Sequence, residues 1–228
     1  MNSSSANLLP SIELETGAHP THTVICMHGL GADGSDFVPI VDELALSSIP
    51  AVRFVFPHAP RRPVSINRGM VMRAWYDYDI VDGGTRLQEN MASLRESQRA
   101  VEVLVSHETQ RGIKPKNIVL AGFSQGGALA LLAGLRYPEK LAGVMALSCY
   151  LPAPQTLAEE AHHANFTMPI FMAHGVTDNV IPITLAAASR ERLLESGYPV
   201  EWHEYGMAHS VCREEIHDIR NWLQRVLA

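Results

Sequence analysis

The chain has 228 residues and a net charge of −6, enough length for one α/β domain whose core needs neither disulfide nor metal. Acidic and basic residues are interspersed, so no basic block points to nucleic acid or an anionic membrane, and no apolar run approaches the roughly 20 residues that span a bilayer. Three widely spaced cysteines, Cys26, Cys149 and Cys212, form no Cys-x-x-Cys pair, which argues against structural zinc and for reduced thiols in a soluble cytoplasmic protein.

Residues 1–20 read as an N-terminal edge segment of a single domain spanning residues 1–228, and Met1 to Ser5 lack the basic-then-apolar pattern of a secretory leader. Thr23 to Met27 and Arg53 to Phe56 are near-continuous apolar runs, as expected of parallel strands covered on both faces. Pro57 to Gly84 carries prolines, glycines and aromatic residues without steady periodicity, which fits a functional loop or packed aromatic filler equally. Leu87 to Thr109 then predicts a helix, with Met91, Leu94, Val101, Leu104 and Val105 on one face. Ile118 to Ala121 predicts a strand and Ala128 to Ala133 part of a helix. Leu141 to Leu147 and Pro169 to Ala173 are further strands. Pro182 to Ser196 starts with a proline suited to a first helical turn and stops before Gly197. Val200 to Tyr205 alternates more and reads as a strand near a sheet edge, and Ser210 to Leu227 closes the chain as an amphipathic helix. Strand–helix alternation of this kind gives an α/β fold with a mainly parallel central sheet flanked by helices.

The chemistry centres on Ser124, in Gly122-Phe123-Ser124-Gln125-Gly126 between a predicted strand and a predicted helix. A serine hydroxyl is a poor nucleophile unless the backbone holds it beside a base, and a tight turn with a glycine two residues either side does that. Asp178 follows the strand ending in His174-Gly175, and His209 follows the strand ending at Tyr205. Loops at the carboxyl ends of parallel strands are where such groups gather, and the order Ser, Asp, His suits an α/β-hydrolase. His209 is then the base and Asp178 the residue that fixes its tautomer. The other histidines read as structural: only His209 combines a loop after a strand with a place beyond Asp178. Asp77, Asp79 and Asp82 precede Ser124, and Asp218 falls on the last helix. Oxyanion donors are expected from the backbone N–H of Gln125 and from Leu30 in His28-Gly29-Leu30-Gly31. Only the backbone of Gln125 is assigned a role, so Gln125→Ala is expected to be mild. Apolar residues near the site, Leu30, Met70, Met72, Trp75 and Ile181, are expected to line an acyl groove. Cys149, at a strand's carboxyl end, reads as buried packing or as a thiol within reach of reagents.

His28 to Gly34, Trp75-Tyr76-Asp77, Gly122 to Ala128, Leu147 to Pro152, His174-Gly175-x-x-Asp178 and His209-Ser210 together resemble the bacterial carboxylesterase/acyl-protein thioesterase family, from about Thr23 to the carboxyl end. The resemblance implies an α/β-hydrolase fold without a large cap domain, with Ser124, Asp178 and His209 as triad and Leu30 and Gln125 as oxyanion donors. It also implies that Ser65 to Tyr76 forms part of the acyl wall. The expected enzyme is a serine carboxylesterase acting on esters of small to medium acyl chains, with no cofactor and no metal. Its partner is a small-molecule ester or thioester, and a homodimer is compatible with the sequence. An acyl-protein thioesterase or lysophospholipase is the alternative, and a non-catalytic binding module on the same fold the remote one.

Overall fold

The computed structural model describes residues 8–82 and 86–228. In chain order the elements begin with β1 (Ser11–Glu15), β2 (His22–Met27), α1 (Ile40–Leu44) and β3 (Val52–Pro57). Two short pairs follow, β4 (Arg61–Val64) with β5 (Met70–Arg73) and β6 (Tyr78–Val81) with β7 (Arg86–Glu89). The second half alternates: α2 (Met91–Gln110), β8 (Ile118–Phe123), α3 (Gln125–Arg136), β9 (Gly143–Leu147), α4 (Leu157–Glu160), β10 (Ile170–Gly175), α5 (Ile183–Glu195), β11 (Val200–Tyr205) and α6 (Arg213–Val226).

Seven strands form one sheet in the order β1-β3-β2-β8-β9-β10-β11. All neighbours are parallel except β1, which pairs antiparallel with β3, Ile12 opposite Phe56 and Leu14 opposite Phe54. The inner strands are buried at nearly every residue, as their unbroken apolar runs require when both faces are covered. One face packs on α2, α3 and α5 through Leu94, Val101, Leu129, Leu132 and Leu193. The other packs on α1 and α6 through Leu44, Ile219, Trp222 and Leu223. Every residue of α3 is buried, because the sheet covers one side and α2 the other. Trp222 is 1% exposed, and its truncation to alanine would cost about 3–5 kcal/mol.

Two expectations shift. Leu87 does not open a helix: it sits on β7 opposite Ile80, and α2 begins only at Met91, after Asn90 caps it by accepting from the Ser93 N–H at 3.0 Å. The strand expected from Leu141 begins at Gly143, since Leu141 N–H is turned to the side chain of Asn165. The aperiodic segment from Pro57 resolves into the two hairpins, whose partly exposed strands of four residues leave no periodic signal. Its last residues, Gly83 and Gly84, lie outside the described residues, as do residues 1–7 of the N-terminal segment. No described helix is long and apolar enough to cross a membrane.

Candidate active site

Because β2, β8, β10 and β11 run parallel, the loops that leave their carboxyl ends open on one edge of the sheet. Ser124 leaves β8, near the middle of the sheet, at φ 55° and ψ −121°. That backbone is strained by about 1–3 kcal/mol for a residue with a side chain, and it points the hydroxyl away from the sheet. The turn is held because Ser124 N–H donates to Leu147 O at 2.8 Å and Ala128 N–H to Ser124 O at 3.0 Å. The flanking glycines are sterically required. A Cβ on Gly122 would lie 2.3 Å from the backbone of Gly126, and one on Gly126 2.2 Å from Met27 O. Strand and helix could not meet this closely with any other residue there.

The loops after β10 and β11 bring the remaining polar groups to Ser124. His209 Nε2 lies 3.0 Å from Ser124 Oγ, and His209 Nδ1 lies 2.6 Å from Asp178 Oδ2. The other carboxylate oxygen, Oδ1, accepts from Val180 N–H at 2.8 Å and Ile181 N–H at 2.9 Å. Burial alone would raise the Asp178 pKa, but the bonds from His209, Ile181 and Val180 outweigh it and hold the carboxyl below its ordinary range. Asp178 therefore stays ionised at neutral pH, which leaves the proton on Nδ1 of His209 and the lone pair of Nε2 facing Ser124. The two loops are tied together by Val176 N–H to Tyr205 O at 2.9 Å and Thr177 N–H to Met207 O at 3.1 Å. The Phe123 ring, 4.7 Å from the imidazole, packs against the histidine. A hydroxyl, imidazole and carboxylate linked in this way can remove a proton from the serine as it attacks a carbonyl and return it to a leaving group.

Leu30 lies in the loop after β2, the strand beside β8, and its N–H has no acceptor among the described residues. Gln125 is the first residue of α3, whose opening N–H groups have no partner within the helix. Its side chain does more than sequence reasoning expected. Gln125 Oε1 accepts from Trp75 N–H at 2.7 Å, and Nε2 donates to Tyr76 O at 2.8 Å. Trp75 in turn donates from Nε1 to His28 O at 2.8 Å. The buried amide thus braces the segment that supports the loop carrying Leu30, a structural role beside the one expected of the Gln125 backbone.

The remaining candidates have other partners. His28 donates from Nδ1 to Gly29 O at 2.7 Å and accepts at Nε2 from Ala59 N–H at 3.1 Å, and burial pushes its pKa down. It is a neutral strut. His174 bonds through Nε2 to Ile181 O at 2.8 Å, supporting the Asp178 loop. Asp77 accepts from Ser65 N–H and Oγ, Asp79 from Asn90, and Asp218 from the Tyr205 hydroxyl. Cys149 is 1% exposed, packed beside Gly127, with its thiol pKa pushed up by burial, so the packing reading accounts for it.

Two grooves meet at Ser124. The larger, about 620 Å³, is lined by Leu30, Ile66, Tyr78, Leu87, Leu151 and Ile181 among others, and the smaller, about 500 Å³, runs beside His209. Leu30 and Ile181 both line the larger groove. Met70, Met72 and Trp75 line neither groove. Met70 is 64% exposed on β5, Met72 takes a contact from Asn67 Nδ2 at its sulfur, and Trp75 is wholly buried beneath the loop of Leu30. Tyr78, Leu87, Tyr150, Leu151 and Leu185 form much of the wall and were not singled out. Only the apolar, aromatic character of the region hinted at them.

The phospholipase/carboxylesterase family model matches residues 10–227. The chain is 36% identical over 219 residues to acyl-protein thioesterase 1 of Yarrowia lipolytica, covering 94% of this chain and 96% of that one. It is 39% identical over 221 residues to acyl-protein thioesterase 1 of Neurospora crassa, covering 94% and 90%. The crystal structure of Arabidopsis thaliana SOBER1 superposes with a TM-score of 0.82 at 30% identity, covering 91% of this chain and 99% of that one. The Zea mays acyl-protein thioesterase 2 structure, at 24% identity and a TM-score of 0.83 over 96% of this chain and 100% of that one, shares the fold. The chain belongs to the phospholipase/carboxylesterase family and is a serine hydrolase with the α/β-hydrolase fold.

Proposed function

We propose that this enzyme hydrolyses carboxylic esters and thioesters of small to medium acyl chains through an acyl-enzyme on Ser124. The observation that carries the reading is the unbroken chain from Ser124 Oγ through His209 to Asp178, at 3.0 and 2.6 Å. His209 Nε2 takes the Ser124 proton as Oγ attacks the acyl carbon, and the carbonyl oxygen becomes an oxyanion that accepts from the N–H groups of Leu30 and Gln125. Each such donor contributes about 2.7–4 kcal/mol to the transition state. As the tetrahedral intermediate collapses, the bond to the leaving oxygen or sulfur breaks and the imidazolium protonates it. Water, deprotonated by His209, then releases the carboxylic acid and restores Ser124.

The groove lined by Leu30, Leu87, Leu151 and Ile181 is suited to an acyl chain, being mostly apolar and open to Ser124. A more particular reading, acyl-protein thioesterase, draws on the curated relatives that carry that name at 36% and 39% identity. Initial rates with p-nitrophenyl esters and acyl thioesters of matched chain length test both. Turnover lost in Ser124→Ala and His209→Ala is expected. Full activity in either variant refutes the mechanism, and thioesters turned over no better than esters of the same acyl chain count against the narrower reading.

A further inference from the structure

The two grooves at Ser124 can be told apart by chemistry. The histidine that protonates a leaving group must face it, so the leaving group departs along the groove that His209 lines. That groove of about 500 Å³ is bounded by Leu30, Phe37, Phe123, Ser124, His209 and Val211, with Asp36 at its side. The larger groove contains Gln125 and Leu30 but not His209, and so receives the acyl chain.

Two independent features of the leaving-group groove point to a cation. Asp36 is the one acidic residue that lines it, and its carboxylate makes no ion pair with any described residue. The rings of Phe37 and Phe123, whose centroids are 5.8 Å apart at 43°, also line the groove. An exposed carboxylate in a groove also lined by two aromatic rings suits an ammonium or guanidinium group, which gains from the charge and from the ring quadrupoles together. A phosphate on the leaving group would instead meet like charge.

Resting on the reading of Ser124 and His209 given above, we infer that the enzyme prefers esters and thioesters whose leaving alcohol or thiol carries a cationic group, with Asp36, Phe37 and Phe123 as specificity-determining residues. A small ammonium alcohol and a cysteine flanked by basic residues in a peptide present the same chemistry.

The test compares kcat/KM for octanoylcholine with its uncharged isostere 3,3-dimethylbutyl octanoate, and for S-octanoyl cysteine peptides flanked by lysine with the same peptides flanked by glutamine. The cationic member of at least one pair should be favoured by about three- to tenfold at low salt. The ratio should fall towards one in Asp36→Asn, recover in Asp36→Glu and shrink as salt rises. The pair that shows the ratio identifies the source of the cation. Neutral substrates turned over with no cationic preference in either pair overturn the inference and leave the serine mechanism standing, as does a preference that survives Asp36→Asn. Loss of all turnover, neutral esters included, in the unsubstituted enzyme would instead refute the catalytic reading on which it rests.

Discussion

Glu215 makes a stability prediction that the fold dictates. It occupies the third position of α6, after Cys212 at the N-cap, where a glutamate ordinarily reaches back to the capping N–H. Here the side chain is fully buried, and neither carboxyl oxygen makes a well-formed hydrogen bond. Burial pushes its pKa up to about 8 from an ordinary 4.5; the Cys212 N–H offsets only part of this, and Asp218 adds to it. The folded protein therefore holds a neutral carboxyl where the unfolded chain ionises. Below pH 4.5 both states are protonated and stability is full; as pH rises towards 8 only the unfolded state loses its proton, so stability falls; above 8 the loss is complete. A rise of that size corresponds to about 5 kcal/mol in all, of which about 3 kcal/mol is gone by pH 7. Glu215→Gln removes the titration at nearly constant shape. Urea unfolding of both proteins between pH 5 and 8.5 isolates the effect, because every other titrating group cancels in the difference. The variant should gain on the parent steadily across that range and exceed it in the alkaline half. A difference that stays constant with pH would refute the assignment of a neutral buried carboxyl.

Gln125→Ala should lower stability by about 1–3 kcal/mol by stranding the buried Trp75 N–H and Tyr76 C=O, and should reduce kcat as the loop of Leu30 loosens; thermal unfolding and steady-state rates indistinguishable from the parent would contradict this. Ile181→Asp and Leu87→Asp should cut kcat/KM for long acyl esters at least tenfold more than for acetyl esters, whereas Met72→Asp, which alters neither groove, should leave the chain-length profile unchanged. An acyl series with p-nitrophenyl esters decides between them. Since the bonds to Asp178 hold its carboxyl below the ordinary 3.8, the acid loss of kcat/KM belongs to the imidazole and not to the carboxylate. Activity should therefore fall on acidification before the carboxylate takes up a proton; a profile flat to pH 5 would exclude a histidine base.

The parts of the fold legible in the sequence are those that leave a one-dimensional trace. Val24, Ile25, Val119 and Leu120 lie in strands covered on both faces, so their runs are unbroken, and the turn at Ser124 requires glycines that cannot be replaced. β1 left a faint trace, since Ile12 and Leu14 alternate with polar residues, but five residues before a turn are a weak signal. The hairpins left none: Met70, Val71, Ile80 and Leu87 are apolar yet exposed, so their pattern does not report burial. That Met70, Met72 and Trp75 line neither groove has a related cause. That Met72 and Trp75 are apolar and lie in an aperiodic stretch says nothing of which way they point. The bracing role of Gln125 was hidden because its partners, Trp75 N–H and Tyr76 O, are backbone atoms some 50 positions earlier.

The most direct test of the central claim is active-site labelling: treat the folded protein with a fluorophosphonate, map the modified residue by mass spectrometry, and follow ester hydrolysis in the same sample. A single adduct on Ser124, formed in step with loss of activity and abolished in His209→Ala, is the predicted result. Hydrolysis that persists with Ser124 fully modified, or an adduct on another residue that abolishes it, would contradict the account.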